Sequence, residues 1–342
     1  MIDWTVARSV GGLALGEDPA PQLLPGDLIA LSEDAETRVV AYTALRPATP
    51  LPPPEAVGRI AWLDANLAAM RRMLDPVTDE VGTSLGPLAG PMRSVAGAAL
   101  GAQIGGVGGL LGRRVLGQYD LAILDPGVTP RLLFVEPNLR EAANELEVDP
   151  AQLLAWVCFH EVTHAVQFGG VPWLRPHLAA LLRDLLSDLK PELDFRELLS
   201  LPSTDDLKAF VGALRSGEVF RLVGGEDKKE VLDRIQATMA LVEGHAEHVM
   251  DAVGADVLDD LPGLRAALDR RRQNRPGAFA VLEKLLGLEL KLRQYTLGKA
   301  FCDEVVRRAD VATLHVAFAS PELAPTLAEL EDPAGWLARI AG

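Results

Sequence analysis

Residues 150–168 read P-A-Q-L-L-A-W-V-C-F-H-E-V-T-H-A-V-Q-F, and no other stretch limits the possible folds as tightly. Asp149 and Pro150 supply an N-cap and a proline at the first helical position. Gln152 completes a pattern like a capping box, and Gly169-Gly170 supplies a stop. Leu153, Leu154, Trp156, Val157, Phe159, Val162, Val166 and Phe168 make this helix apolar nearly all round, so it belongs in a core. His160, Glu161 and His164 are then polar groups in a dry setting. Each one left without a partner costs ~1–3 kcal/mol, so the fold must supply partners for all three.

The three residues form H-E-x-x-H. Four positions apart on a helix, the two imidazoles project from one face with their roots about 6 Å apart. They can share one Zn²⁺ at ~2.0–2.1 Å. Glu161 leaves the helix about 100° round from His160, which suits a base acting on a metal-activated water better than a third ligand. A metal and a water satisfy all three groups. With 6 histidines and 48 acidic residues in 342 positions, a chance match is on the order of one in a hundred, and the buried helical context lowers it further.

A catalytic zinc takes three protein ligands and keeps a fourth position open. The candidates for the third are Glu243, His245, Glu247 and His248, in L-V-E-G-H-A-E-H-V-M-D (241–251), within an apolar helix expected from about Lys228 to Val253. The E-x-x-x-E spacing resembles the glutamate-zincin arrangement, in which the first Glu binds metal and the acid one turn on orients a ligand histidine. That favours Glu243 as ligand, with Glu247 behind it. His245 and His248 share a face angularly distinct from Glu243, so these three cannot all reach one ion. One of the two is a candidate donor to a developing oxyanion, as is Tyr295 in K-L-R-Q-Y-T-L-G-K-A-F (291–301), where Arg293 also lies near. His177 and His315 stand in ordinary contexts and read as satisfied or exposed.

Elsewhere the pattern is mainly helical. Helices are expected at 3–15 with Asp3 as cap, at 55–74, and at roughly 176–189, 205–215, 262–272, 277–309 and 321–340. Residues 28–45 show no clear period. Tyr119–Leu124 and Leu132–Val135 flank Asp125-Pro126-Gly127, which predicts a small β-hairpin near 119–136. The fold class is therefore mainly α with a small β element. Five prolines in R-P-A-T-P-L-P-P-P (46–54) make a stiff extended connector, dividing an N-terminal segment (1–54) from the main domain (55–342). Residues 191–226, between the two ligand helices, read as a lid or a connecting subdomain. Residues 94–112 carry no charge and place Gly97, Gly101, Gly105 and Gly109 on one helix face. Such a face is a pairing seam in a membrane or a close helix contact in a core. Gln103 in mid-span and the lack of a second span favour the core, so no stable membrane insertion is expected.

Lys plus Arg is 33 and Asp plus Glu is 48, for a net charge of −15. That argues against a nucleic-acid partner and against a polybasic membrane contact. Cys158 and Cys302 lie in apolar helical stretches and read as small buried hydrophobes. The start, M-I-D-W-T-V-A-R-S-V, lacks the basic and long apolar regions of a secretory signal, so the cytoplasm is the expected compartment.

Taken as a pair, F-H-E-V-T-H-A-V-Q-F and L-V-E-G-H-A-E-H-V-M-D resemble the actinobacterial zincin-like metallopeptidase family. Its members carry hydrolase designations or are associated with deazaflavin-coenzyme biosynthesis. R-I-A-W-L-D-A-N-L (59–67), V-L-G-Q-Y-D-L (115–121) and 291–301 are similar too, so the likeness spans roughly residues 55–310. The resemblance implies a zincin-like helical metallohydrolase fold, zinc on His160, His164 and Glu243, and Glu161 as base. The expected function is a zinc-dependent metallopeptidase acting on a peptide or protein. The alternatives are a non-catalytic zinc-stabilised scaffold and a membrane-anchored protease using 94–112.

Overall fold

The computed structural model describes residues 2–19, 26–83, 90–125, 127–187, 218–273 and 288–342. Its helices are α1 (Trp4–Leu15), α2 (Leu28–Thr43), α3 (Arg59–Thr83), α4 (Gly90–Gly112), α5 (Glu136–Leu146), α6 (Pro150–Gly170), α7 (Leu174–Ser187), α8 (Glu218–Gly254), α9 (Leu261–Gln273), α10 (Leu288–Arg308), α11 (Val311–His315), α12 (Leu327–Glu331) and α13 (Pro333–Ala341). The strands are β1 (Pro54–Val57), β2 (Gly117–Asp120) and β3 (Arg131–Val135). The chain is thus mainly α with one small sheet, as expected.

The sheet has the order β1-β3-β2. Leu132, Leu133, Phe134 and Val135 are all buried, as an apolar run in a central strand must be. The expected hairpin is present, with Tyr119 opposite Leu132 and Asp120 opposite Arg131. Its first strand stops at Asp120 rather than Leu124, because Ala122 takes a left-handed backbone (φ 45°) that no ladder accommodates. The third strand is new: the end of the proline-rich connector pairs parallel with β3, from Pro54↔Leu132 to Val57↔Val135. An edge strand can begin on proline because its missing N–H is not needed there.

α6 begins as its sequence implies, with the Asp149 carboxylate accepting from Ala151 N and Gln152 N at 2.8 and 3.0 Å. The capping-box pattern is not closed by Gln152, whose Oε1 accepts instead from Asp259 N. α2 packs on α6 through Ser32, Ala35, Val39 and Thr43, which share one face of the helix. Two of these are polar. Ser32 hydroxyl meets Cys158 Sγ at 3.3 Å, and Thr43 hydroxyl donates to Val39 O at 2.7 Å. Small and hydroxylated residues form the buried stripe, which is why hydropathy shows no period here.

The glycine face of α4 is closed by α1. A Cβ on Gly101, Gly105 or Gly109 would overlap the backbone of Asp3, Ala7 or Gly11. Ser94–Gly112 is long and apolar enough to cross a membrane by length and composition. The helix expected at 321–340 is broken into α12 and α13, since Pro333 excludes Asp332 from the helical region. The helix expected at 205–215, and residues 191–217 of the lid or subdomain, lie outside the described residues; 218–226 open α8.

Candidate metal centre

α6 supplies His160, Glu161 and His164, and α8 brings Glu243 against them. The roll of α8 about its own axis is set by its contact with α10. Gly244 and Gly298 meet so closely that a Cβ on either would overlap the other helix's backbone. With Gly244 turned to α10, Glu243 lies about 100° round the helix and reaches α6. His160 Nε2 and His164 Nε2 are 3.3 Å apart, and Glu243 Oε2 is 3.4 Å from His164 Nε2. One donor atom from each of the three residues lies within 4.8 Å of the others, and this is the group with metal-ligand spacing among the described residues.

The donor set fits a zinc ion. Tetrahedral ligands at ~2.0–2.1 Å sit about 3.4 Å from one another, and two of the three edges here are 3.3 and 3.4 Å. Two imidazoles and a carboxylate are the ligand types of a three-ligand hydrolytic site. The electrostatics agree. Burial lowers the His164 pKa, but Glu243 and then Glu161 more than reverse this and carry it to about 9. The pocket thus calls for positive charge. Glu161 is pushed up to about 7 by burial, against the pull of His164 and of the Tyr119 N–H; Glu243 adds to the rise. That N–H donates to Glu161 Oε2 at 2.8 Å.

A residue outside the expected set, Gln167, orients the site. Its Nε2 donates to Val242 O at 2.9 Å, which fixes the amide so that Oε1 faces His164 Nδ1 at 2.9 Å. His164 therefore keeps a proton on Nδ1, and Nε2, which faces the cluster, is the nitrogen free to ligate once it gives up its proton. The same Gln167 Nε2 lies 2.9 Å from His245 Nδ1, which accepts from it. His245 is fully buried against Phe318, with ring centroids 4.6 Å apart. Burial, then His315, His248 and His164, hold it neutral, well below the imidazole range. It braces Gln167 instead of joining the ligand group.

His248 is turned elsewhere. Its Nε2 meets Tyr42 hydroxyl at 2.8 Å and its Nδ1 meets Asp303 Oδ1 at 2.7 Å. Glu247 pairs with Arg265 at 3.2 Å, and Arg265 also holds Asp251 at 2.6 Å. The structure thus brings together His160, Glu161, His164 and Glu243, and it is Gln167 that grips one of the candidate ligand histidines. Tyr295 and Arg293 lie on α10, with side chains outside the described residues. Gln167 had a sequence signal: it is a polar residue on the same apolar helix, three positions after His164. Tyr119 acts through its backbone and had none.

A family model described as zincin-like metallopeptidase matches residues 2–337. The chain belongs to the zincin-like metallopeptidase family. Among solved structures, this family member is similar to a crystal structure from Chloroflexus aurantiacus of a presumed hydrolase with a novel fold. The identity is 27% and the TM-score 0.72, over 100% of this chain and 99% of that one. A search of curated proteins finds no match. For a zincin-like chain a metal, usually zinc, is the family's expectation, and the His/His/Glu cluster is where this chain could hold it.

Proposed function

We propose that this family member is a zinc-dependent peptidase, with His160, His164 and Glu243 holding the ion and Glu161 as general base. A zinc ion held by His160, His164 and Glu243 would supply a water of pKa ~7 and a Lewis acid for the substrate carbonyl. Glu161 takes the proton of the attacking water and passes it to the leaving nitrogen. Burial, which pushes the Glu161 carboxyl up to about 7 in the metal-free site, favours its taking up a proton. The Tyr119 N–H ties down Oε2 and leaves Oε1 for the exchange. Gln167 keeps His164 in the tautomer that ligation needs.

A peptide substrate is supported by the position of β2. It is an edge strand, and an extended chain can pair with such an edge. A cytoplasmic location is proposed beside it, supported by Cys158 and Cys302, which are free and buried.

The observation that carries this reading is the convergence of three donor atoms within 4.8 Å beside a buried acid. A purely structural zinc has no use for Glu161. The test has two parts. The purified protein contains about one zinc per chain, lost in His160→Ala. Chelator-sensitive cleavage of a degenerate peptide library disappears in Glu161→Gln, which keeps its zinc. Zinc without turnover on any peptide favours the zinc-stabilised scaffold.

A further inference from the structure

Trp156, His160 and His164 recur every four positions on α6, so their side chains lie along one stripe of the helix. His164 is gripped by the amide of Gln167. His160 has an aromatic neighbour of another kind. The indole of Trp156 lies parallel to its imidazole, with ring centroids 5.4 Å apart and the two planes 7° from each other. Toward the other end of the stripe, His164 stands nearly perpendicular to the same imidazole, at 4.7 Å and 84°. The His160 ring thus lies between an indole face and a second imidazole.

Trp156 is the rigid member of this stack. It is only 6% exposed and belongs to the core shared by α2, α6 and α8. Its Nε1 is buried and meets no hydrogen-bond partner among the described residues. No hydrogen bond sets the plane of the indole, so packing and the imidazole set it. A buried N–H left unmade is a cost that phenylalanine or leucine would avoid. What the indole adds is a larger and more electron-rich face.

That face can act on a metal in two ways. An imidazole binds a cation in its own plane, so the tilt of the ring decides where the ion can sit, and outer partners fix such tilts. Nε2 of His160 already lies 3.3 Å from Nε2 of His164. Turning the ring away from the indole plane carries that nitrogen off the cluster. The second effect is electrostatic. An imidazole that ligates a dication takes on part of its charge, and 5.4 Å is inside the ~6 Å reach of a cation–π contact. The attraction is stronger with metal than without, so it raises affinity instead of favouring both states equally.

We infer that Trp156 is a positioning residue for the metal centre, its indole fixing the plane of His160 and strengthening the hold of that ring on a divalent cation. This rests on the zinc site of the peptidase reading, and the test separates the two.

Full-length protein is made with singly, doubly or triply fluorinated tryptophan at position 156. Fluorine draws charge from the indole face and leaves its shape nearly unchanged. Zinc Kd, read by competition against a chromophoric chelator, is expected to rise stepwise with each fluorine, within the roughly two- to thirtyfold that a whole cation–π contact represents. Trp156→Leu removes the face and is expected to weaken zinc and to alter the visible absorption spectrum of cobalt(II)-loaded protein, which reports ligand geometry. Trp156→Phe restores the wild-type spectrum, with a zinc Kd between those of wild type and Trp156→Leu. A tryptophan that merely fills the core responds to neither probe. A flat fluorination series, or a cobalt spectrum unchanged in Trp156→Leu, overturns the inference while the peptidase reading stands. Wild-type protein that binds no zinc overturns the peptidase reading, and the role of Trp156 with it.

Discussion

Gln167→Leu tests whether the two ligand helices are held in register by one side chain. Gln167 is fully buried and makes three contacts of 2.9 Å, to His164 Nδ1, Val242 O and His245 Nδ1. Leucine fills a similar volume and leaves all three partners unmade. A buried polar group stripped of its partner costs ~1–3 kcal/mol, and three that relax together are expected to cost about 3–5 kcal/mol in metal-free stability. The effect on zinc is separate. With no acceptor on Nδ1, His164 is free to change tautomer and swing its ring, and Val242 no longer ties α8 at the residue before Glu243. Losing such an outer partner typically weakens metal binding ~10–100-fold. Denaturant melts of chelator-treated protein read the first quantity, and competition against a chromophoric zinc chelator reads the second. A fall in stability with zinc Kd changed less than about threefold, below that typical range, shows Gln167 to be a helix clamp and refutes its role in orienting the ligand.

Two more outcomes follow from the site and the fold. Folded Glu161 and His164 both hold protons more tightly than their ordinary values, at about 7 against 4.5 and about 9 against 6.5. At these two groups the folded chain therefore binds more protons than the unfolded one. The His164 contribution is complete below pH 6.5 and fades as pH rises through about 9, while that of Glu161 fades from 4.5 through about 7. Above pH 7, where His245, neutral in the fold, no longer adds an opposing slope, metal-free protein should lose stability up to pH 9.5 in denaturant melts. Zinc affinity should rise over the same range with proton release seen by calorimetry in buffers of different ionisation enthalpy, and a flat profile contradicts this. In the helix pair, Gly105→Ala drives a methyl into the Ala7 carbonyl and should cost about 1–3 kcal/mol. Gly106→Ala, with nothing within 4 Å, should gain about 0.5–1 kcal/mol from helix propensity. Thermal melts showing equal effects at both positions would count against the α1–α4 contact.

What could be read without coordinates is local. Spacing along one helix places His160 and His164 on adjacent turns whatever the rest of the chain does, and the apolar surround of α6 demands that they be satisfied. The cap at Asp149, the close glycine face of α4 and the hairpin are local in the same sense. The stripe of α2 was hidden because Ser32 and Thr43 do the work of apolar residues, and β1 was hidden because proline is a poor strand signal away from an edge.

The choice among Glu243, His245, Glu247 and His248 could not be local. These residues lie within two turns of one helix and divide between two faces, Glu243 with Glu247 and His245 with His248. Which one meets His164 depends on the roll of α8, and a rotation of one residue step would present another. That roll is set by Gly244 against Gly298, two residues 54 positions apart that carry no chemistry of their own. The partnership of Gln167 with both helices and the hold of Tyr119 on Glu161 arise the same way, from contacts between segments far apart in the chain. One helix of the polypeptide specifies half of the candidate metal site; the packing of that helix against its neighbours supplies the rest.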